Sequence, residues 1–316
     1  MKNILFILIA LTFFSCKKEL EIAEVTFDVA ANTNKLSLGD TTFFTFKGNA
    51  DMITFWSGEI GKRYEFRDRV EATGTPILRF RSKIFHAQTN TLSVLISTDF
   101  AGVAKATAGT ISNISSANWV DITPRAQLSA VSSRLTSSGP VNLSDFAGQN
   151  KPVYVAFKYK GLAGYPLNRW EIDSLYINNH LPDGTTYEIG NFNSFNAPYT
   201  NYGVTTYNPG FVFYNVSNTL TWFNSTLNSR AGIVFRTDAT GLAADAEAWA
   251  ILGPINLKKV TPDNGVVIKG LSQNINDLKY GYKYPSNGVF NPTFVGAKTN
   301  SSEQNYANKQ LTLTIQ

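Results

Sequence analysis

Apolar and polar residues alternate along several short segments of the chain, and this feature constrains the fold more than any other. In PVYVAFKYKG (152–161), every second residue from Val153 to Tyr159 is apolar or aromatic, while the alternate positions include Lys158 and Lys160. Successive side chains of a β-strand point to opposite faces. The pattern therefore predicts a strand with one buried and one solvated face.

Other segments repeat this alternation and are separated by turn signals such as Asn264-Gly265. TPILRFRSKIF (75–85) places Arg79, Arg81 and Lys83 on one side, and Leu78, Phe80 and Ile84 on the other. RWEIDSLYINN (169–179) sets Trp170, Ile172 and Tyr176 against Glu171, Asp173, Leu175 and Ile177, which suggests a strand between two sheets. Helical periodicity is limited to one short helix within 121–135 and one turn within 143–148. The chain is predicted to be all-β, a sandwich.

The two ends of the chain are predicted to form one domain. FDVAANTNKLSLGDTTFFTFKGNADMITFWSGEIG (27–61) resembles the opening strands of an immunoglobulin-like domain of the polycystic-kidney-disease type. YKYPSNGVFNPTFVGAKTNSSEQNYANKQLTLTIQ (282–316) resembles the closing strands of that domain. Neither end has enough strands to bury a core alone, so we expect them to pair.

The region between the two ends resembles the cleaved-adhesin or choice-of-anchor jelly rolls of bacterial surfaces. The matching stretches are NTLSVLISTDFAG (90–102), NWVDIT (118–123), VNLSDFAGQNKPVYVAFKYKG (141–161) and RWEIDSLYINN. The predicted fold is a jelly-roll-like β-sandwich inserted into an Ig-like β-sandwich. The predicted boundaries are a signal peptide at 1–15, a lipidated tether at 16–24, the first Ig-like half at 25–64, the jelly-roll-like region at 65–255 and the second Ig-like half at 256–316.

The only cysteine of the chain, Cys16, follows a segment typical of exported proteins. The apolar run Ile4–Phe14 is shorter than the about 20 residues that span a bilayer as a helix, but it suits the hydrophobic region of a signal peptide. Phe13-Phe14-Ser15-Cys16 resembles a bacterial lipoprotein lipobox of the looser Bacteroidota type. The resemblance predicts lipidation of Cys16 and attachment to the outer membrane, facing the cell exterior. The alternative is a buried free thiol.

Taken whole, the chain resembles a lipoprotein family known only as domain of unknown function 5017. The stretches that carry this likeness are SLGDTTFFTFKGNADMITFWSGEIGKRYEFRDR (37–69), LSVLISTDFAG and PDNGVVIKG (262–270). The resemblance implies an accessory lipoprotein that works with a Sus-like glycan uptake system.

The sequence gives no signal for a catalytic centre. Its two histidines, His86 and His180, are far apart, and neither a G-x-S-x-G nor a zinc-binding motif occurs. Glu171 and Asp173 share a face of a predicted strand and form the best local carboxylate pair for a glycosidase. A structural ion pair with Arg or Lys is the preferred interpretation. The net charge of +5 is dispersed, so we do not expect nucleic-acid binding.

Calcium is a cofactor that only the jelly-roll resemblance suggests. No protein-bound cofactor is otherwise expected, and no calcium-loop motif occurs. The candidate ligands are Asp99, Asp145, Glu171, Asp173 and Asp183.

A charge-dense stretch, GKRYEFRDRVE (61–71), allows two interpretations. Alternation places Arg63, Glu65, Arg67 and Arg69 on one face. Together with Arg79 and Arg81 they would form a basic patch for an acidic glycan. The favoured alternative is a surface of mutually paired charges at a domain junction.

The uncharged segment NFNSFNAPYTNYGVTTYNPGFVFYNVSNTLTWFNS (191–225) is rich in Asn, Tyr, Phe and Thr. Aromatic rings beside amides are typical of sugar recognition, so Tyr199, Tyr202, Tyr207 and Trp222 are the predicted glycan-binding residues. The alternative is that these rings belong to a sandwich core.

The predicted function is non-catalytic binding of an extracellular carbohydrate. The alternative is a structural or adhesive protein that binds another surface protein. A glycoside-active enzyme is the third hypothesis.

Overall fold

The computed structural model describes residues 23–85, 90–165, 168–193, 199–201, 204–206, 210–235, 242–300 and 303–316, with the backbone alone at 199–201 and 204–206. Cys16 and His86 lie outside these residues.

The described chain is almost entirely strands. The first four strands are β1 (Phe27–Ala31), β2 (Lys35–Leu36), β3 (Thr41–Gly48) and β4 (Met52–Trp56). The central strands are β5 (Thr75–Phe85), β6 (Leu92–Ser97), β7 (Val120–Asp121), β8 (Thr136–Ser137), β9 (Val141–Asn142), β10 (Val153–Gly161), β11 (Arg169–His180), β12 (Thr186–Asn191), β13 (Tyr199–Asn201), β14 (Val204–Thr206), β15 (Val212–Ser217), β16 (Trp222–Leu227), β17 (Arg230–Phe235) and β18 (Ala246–Ile255). The last are β19 (Val266–Lys269), β20 (Lys279–Lys283), β21 (Gly288–Phe290), β22 (Thr293–Thr299), β23 (Gln304–Gln310) and β24 (Leu313–Ile315).

Helices in the described chain are few and short. They are α1 (Thr107–Ser116), α2 (Ser144–Ala147) and 3-10 turns at Tyr64–Phe66, Thr123–Arg125 and Ile275–Asp277. The all-β, sandwich-like fold class predicted from the sequence is confirmed.

The chain divides into two compact units. Unit 1 combines Met1–Asp68 with Pro262–Gln316, and unit 2 is Arg69–Thr261. The sequence placed the corresponding boundaries at 64/65 and 255/256.

Unit 1 is built by strands from both ends of the chain. β3 pairs with β1 on one side and β20 on the other, and β4 lies between β19 and β22. β2 pairs in parallel with β24. The core contains a cluster of rings in which the Phe294 centroid lies 4.8 Å from that of Phe44 and 4.9 Å from that of Phe55.

Unit 2 has two main sheets with an apolar core between them. One has the order β15-β18-β10-β6-β7, and the other has the order β16-β17-β11-β5-β8 with β9 and β12 at its margins. Val153, Val155, Phe157 and Tyr159 all face this core, as the alternation predicted. Phe80 of one sheet meets Phe157 of the other with ring centroids 5.1 Å apart.

The predicted faces of β11 are partly wrong. Trp170 and Ile172 face the core as expected, but so do Leu175 and Ile177, while Tyr176 lies on the opposite face. The cause is a β-bulge after Asp173, where the pairing register with β5 shifts. One extra residue in a strand reverses the alternation beyond it.

Helix α1 is a feature that the sequence did not predict. Its sequence, TAGTISNISS, is rich in Thr, Ser and Asn, which are poor helix formers. The helix buries Thr110 and Ile114, which are four residues apart and therefore share one face. Within 121–135, the described helical structure is the single turn Thr123–Arg125, and the predicted turn within 143–148 is α2.

Candidate functional site: an aromatic face on the five-stranded sheet

The outer side of the five-stranded sheet of unit 2 carries rings and charges where a sandwich normally carries simple polar residues. On β18, Ala248 and Ala250 face the core, so Glu247 and Trp249 lie on the opposite side of the sheet, where Trp249 belongs to a second apolar cluster with Phe100 and Ile114. The register aligns three outward residues across the sheet, because Trp249 lies opposite Tyr214 of β15 and opposite Lys158 of β10. We call this surface the aromatic face. It comprises Trp119, Tyr154, Lys158, Tyr214, Glu247 and Trp249.

A chain of ring contacts runs across the aromatic face. The centroid of Trp119 lies 5.1 Å from that of Trp249 and 5.6 Å from that of Phe100, and Phe100 lies 5.1 Å from Tyr154. Trp119 Nε1 donates to the carbonyl oxygen of Ile114 in α1, at 3.0 Å. The helix therefore fixes the orientation of the indole.

The rings of this surface differ in their exposure. Trp249 is only 4% exposed, whereas Trp119, Tyr154 and Tyr214 are partly exposed. Burial raises the pKa of Tyr154 above its ordinary value, which already exceeds physiological pH, so this phenol is a neutral hydrogen-bonding group. The three partly exposed rings are therefore the ones that a ligand can reach.

An ion pair fixes the polar groups beside these rings. Lys158 Nζ lies 3.1 Å from Glu247 Oε2 and 5.0 Å from the centroid of Trp249. Trp249 Nε1 donates to Glu247 Oε1 at 2.8 Å. The ammonium and carboxylate groups are partly exposed, so both can still bind hydroxyl groups from solvent or from a ligand.

Three of the four predicted glycan-binding residues, Tyr199, Tyr202 and Tyr207, have side chains outside the described residues. The backbone of β13, which begins at Tyr199, lies next to β18. The predicted segment thus approaches the strand that carries Trp249.

Trp222 is the predicted residue that the structure contradicts. Its side chain is 1% exposed, its ring meets Phe235 at 5.5 Å, and its Nε1 donates to the carbonyl oxygen of Ala248 at 3.2 Å. Because β16 turns Trp222 toward the sandwich interior, no ring face is open to a sugar. The core alternative is the correct one for this residue.

Trp119, Tyr214 and Trp249 were not among the residues predicted from the sequence to bind a ligand. They come from three distant segments and meet only through strand pairing, so no local motif marks them. One local signal exists in EAWAILGPINL, where Glu247 and Trp249 alternate with small alanines. A large aromatic residue on the face opposite the core is unusual for a half-solvated strand.

The five candidate calcium ligands are dispersed. The partners of the carboxylates are Ser97 and Asn118 for Asp99, Arg125 for Asp145, Arg169 for Glu171, Arg81 for Asp173 and the Thr185 amide for Asp183. Within the described ranges, no three His, Cys, Asp or Glu side chains are grouped so as to hold a metal ion. For Glu171 and Asp173, the structural ion pairs expected from the sequence are present.

The charge-dense stretch 61–71 is not a strand, because Tyr64–Phe66 forms a 3-10 turn. Arg63 pairs with Asp263 at 3.1 Å in unit 1, and Arg69 donates to the Tyr187 hydroxyl at 2.8 Å in unit 2. The first contact is an ion pair, as the favoured interpretation expects, whereas the second joins an arginine to a neutral hydroxyl group. His180 Nδ1 lies 2.9 Å from the Thr186 hydroxyl, at an exposed position without a catalytic neighbour among the described residues.

A cleft of about 180 Å³ lies elsewhere in unit 2. Glu71, Asn150, Asn256 and Lys258 supply most of its polar groups. Asn256 Nδ2 donates to Glu71 Oε1 at 2.6 Å, and Lys258 Nζ donates to Asn150 Oδ1. These contacts occupy part of the polar groups of the cleft, and no aromatic ring is among the residues that line it. None of the helices in the described part of the chain is long and apolar enough to cross a membrane.

Comparison with protein-family models identifies the family of the chain. The family model described as Domain of unknown function (DUF5017) matches residues 15–196, which is more than half of the chain. No curated protein and no solved structure matches significantly.

Proposed function

The chain belongs to the family described as Domain of unknown function (DUF5017). That description names no activity, so we propose the function of the chain from the geometry of the aromatic face. The aromatic face of unit 2 binds an extracellular carbohydrate without catalysing a reaction on it. The single observation that carries this proposal is the row formed by Tyr214, Trp249 and Lys158 across three strands.

The chemistry of this row suits a sugar ring. The C–H groups of a pyranose pack against aromatic faces, and Trp119 and Tyr214 supply two partly exposed rings on either side of Trp249. Lys158 donates and Glu247 accepts, so together they can bind adjacent hydroxyl groups by charge-assisted hydrogen bonds. The ion pair holds both groups in place before a ligand arrives, which lowers the entropic cost of binding.

A glycan array probed with the full chain tests the proposal. Tyr214→Ala removes one ring, and Lys158→Gln removes the charged donor. Loss of one stacked ring should weaken binding by about 1–2 kcal/mol, or about 5–30-fold. The matched control is Tyr306→Ala, because Tyr306 is a 62% exposed tyrosine of unit 1.

The proposal predicts that Tyr214→Ala and Lys158→Gln weaken binding of the same glycans, while Tyr306→Ala leaves it unchanged. A blank array from folded protein would refute carbohydrate binding by the aromatic face. Binding that survives in Tyr214→Ala would remove the aromatic face as its site.

We further propose that the protein is anchored to the outer membrane through lipid on Cys16, faces the exterior, and assists a Sus-like glycan uptake system. The support is the lipobox-like sequence before Cys16 together with the family membership. Several acyl chains give stable attachment where one chain does not. In membrane sedimentation, the Cys16→Ala variant should move from the membrane pellet to the soluble fraction. A variant that still sediments with membranes would contradict the lipid anchor. We also propose that unit 1 is an Ig-like domain of the polycystic-kidney-disease type and that unit 2 is a cleaved-adhesin-like jelly roll.

One observation supports the adhesive alternative. β19 is the edge strand of its sheet, and its adjacent residues Val266 and Val267 are 53% and 56% exposed. An exposed apolar edge can add a strand from another protein. If Val267→Lys abolishes capture of a surface protein and the glycan array is blank, the adhesive function replaces the carbohydrate function.

A further inference from the structure

The second sheet of unit 2 carries a column of basic residues on its outer side. Leu78, Phe80 and Ile84 of β5 face the core, so Arg79, Arg81 and Lys83 point outward, as the sequence predicted. We call the surface formed by Arg79, Arg81, Lys83, Phe85, Arg169, Glu171, Asp173 and Tyr176 the basic column.

Cross-strand pairing decides which of these cations are neutralised. Asp173 lies opposite Arg81 and accepts from both its Nε and Nη2, at 2.6 and 2.8 Å. Glu171 lies opposite Lys83 but is bonded by Arg169. The two carboxylates of the column are therefore each held by an arginine.

Two cations remain without a carboxylate of their own. Among the described residues, no Asp or Glu oxygen lies within 4.0 Å of the charged group of Arg79 or Lys83. Arg79 lies opposite Tyr176, and Lys83 Nζ lies 4.6 Å from the centroid of Phe85. Both side chains are partly exposed. The two cationic groups are therefore open to solvent and can form charge-assisted hydrogen bonds with anionic groups of a ligand.

The spacing of the free cations points to an extended ligand. Arg79 and Lys83 are four residues apart on one strand, a separation of about 13 Å at about 3.3 Å per residue. A small single anion cannot contact both groups, whereas a polymer with repeated anionic groups can lie along β5.

The surroundings of Phe85 favour a polysaccharide over a nucleic acid. Single-stranded nucleic acids bind by stacking successive bases on open aromatic rings. Lys83 lies over the ring of Phe85, and the Arg169 guanidinium lies 5.1 Å from the same centroid. These cations cover the ring, so it offers no platform for a base.

We propose that the basic column binds an anionic polysaccharide, with Arg79 and Lys83 contacting its carboxylate or sulfate groups. The site is on the opposite sheet from the aromatic face and does not depend on the function proposed there. Charged polymers release counterions when they bind, so the affinity should fall as salt rises.

The test measures binding of the full chain to heparin, to polygalacturonate, to single-stranded DNA and to neutral dextran, which carries no charge and should not bind, at low and moderate ionic strength. Arg79→Gln combined with Lys83→Gln should lower affinity by about tenfold or more, because hydrogen bonds to charged groups are the strong ones. The matched control is Lys47→Gln with Lys283→Gln, which removes the same charge from exposed positions of unit 1. Arg79→Lys with Lys83→Arg keeps the charges and should retain most of the binding.

The proposal holds if the Gln pair loses polyanion binding at an unchanged melting temperature while the Lys47/Lys283 control keeps it. Preference for heparin then assigns sulfate, and preference for polygalacturonate assigns carboxylate. It fails if neither polyanion binds, if the control loses binding equally, or if single-stranded DNA binds as tightly with the same dependence on Arg79 and Lys83.

Discussion

The ion pair between Arg81 and Asp173 offers a quantitative test of how unit 2 is stabilised. The Asp173 side chain is 2% exposed and the Arg81 side chain is 26% exposed. The two partners therefore differ in what happens when the other is removed. Arg81→Met leaves a buried carboxylate without its cation, whereas Asp173→Leu leaves an arginine that can turn toward water.

This asymmetry sets the expected magnitudes. Removing one partner of an ion pair so that the other charge stays buried costs about 3–5 kcal/mol. We therefore expect Arg81→Met to lower the free energy of unfolding by this amount. Asp173→Leu should cost less, about 1–3 kcal/mol, because it mainly removes hydrogen bonds to a charged group. The double variant should be less destabilised than Arg81→Met alone, because no charge is left buried.

The assay is urea unfolding followed by tryptophan fluorescence and circular dichroism. Four of the five tryptophans lie in unit 2, namely Trp119, Trp170, Trp222 and Trp249, whereas Trp56 lies in unit 1. The two units can unfold separately, so Trp56→Phe is introduced into the parent and into every variant, and the fluorescence transition then reports on unit 2 alone. The explanation is refuted if Arg81→Met costs less than about 1 kcal/mol, or if the two single effects simply add in the double variant.

The remaining predictions concern the core, the response to pH and the response to calcium. Trp222→Ala should destabilise unit 2 by about 3–5 kcal/mol in urea unfolding, whereas Trp222→Phe should cost much less. If Trp222→Ala instead loses glycan binding at an unchanged melting temperature, Trp222 is a ligand-binding residue. The Arg125 side chain, by its hydrogen bond, holds the pKa of Asp145 below its ordinary value, so the folded state gains stability above pH about 4 and loses it as the pH falls through the lowered pKa. Arg125→Gln should therefore be less stable than the parent at neutral pH, and the difference should shrink in acid; a difference that grows in acid would contradict this sign. Exchange of millimolar calcium for EDTA should leave the melting temperature unchanged. A large rise of the melting temperature with calcium would contradict this expectation and indicate a calcium site.

Strand faces were predictable where the backbone stays regular. The alternation in 152–161 and 75–85 predicted which residues face the core between the two sheets, because opposite projection of successive side chains is a local property of an extended chain. The solvated second face expected for 152–161 is partly wrong, because Ala156 is buried in a second apolar cluster with Phe100 and Trp249. An ion pair of Asp173 with an arginine or lysine was also predictable, because carboxylates on a strand beside basic residues seldom stay unpaired. The identity of the partner, Arg81, was not. Helix α1 was not predictable, because its residues are poor helix formers and burial of Ile114 holds it in place.

By itself, the sequence determined the fold class, the outward column of Arg79, Arg81 and Lys83, and the lipobox-like context of Cys16. These features depend on neighbours in the chain. The tertiary structure alone decided that β11 reverses its faces after Asp173, that Trp222 is a core residue, and that the rings of an outer surface are Trp119, Tyr214 and Trp249. Each of these outcomes depends on which strand pairs with which and in what register. Register is set by partners far away in sequence, so no short segment carries it.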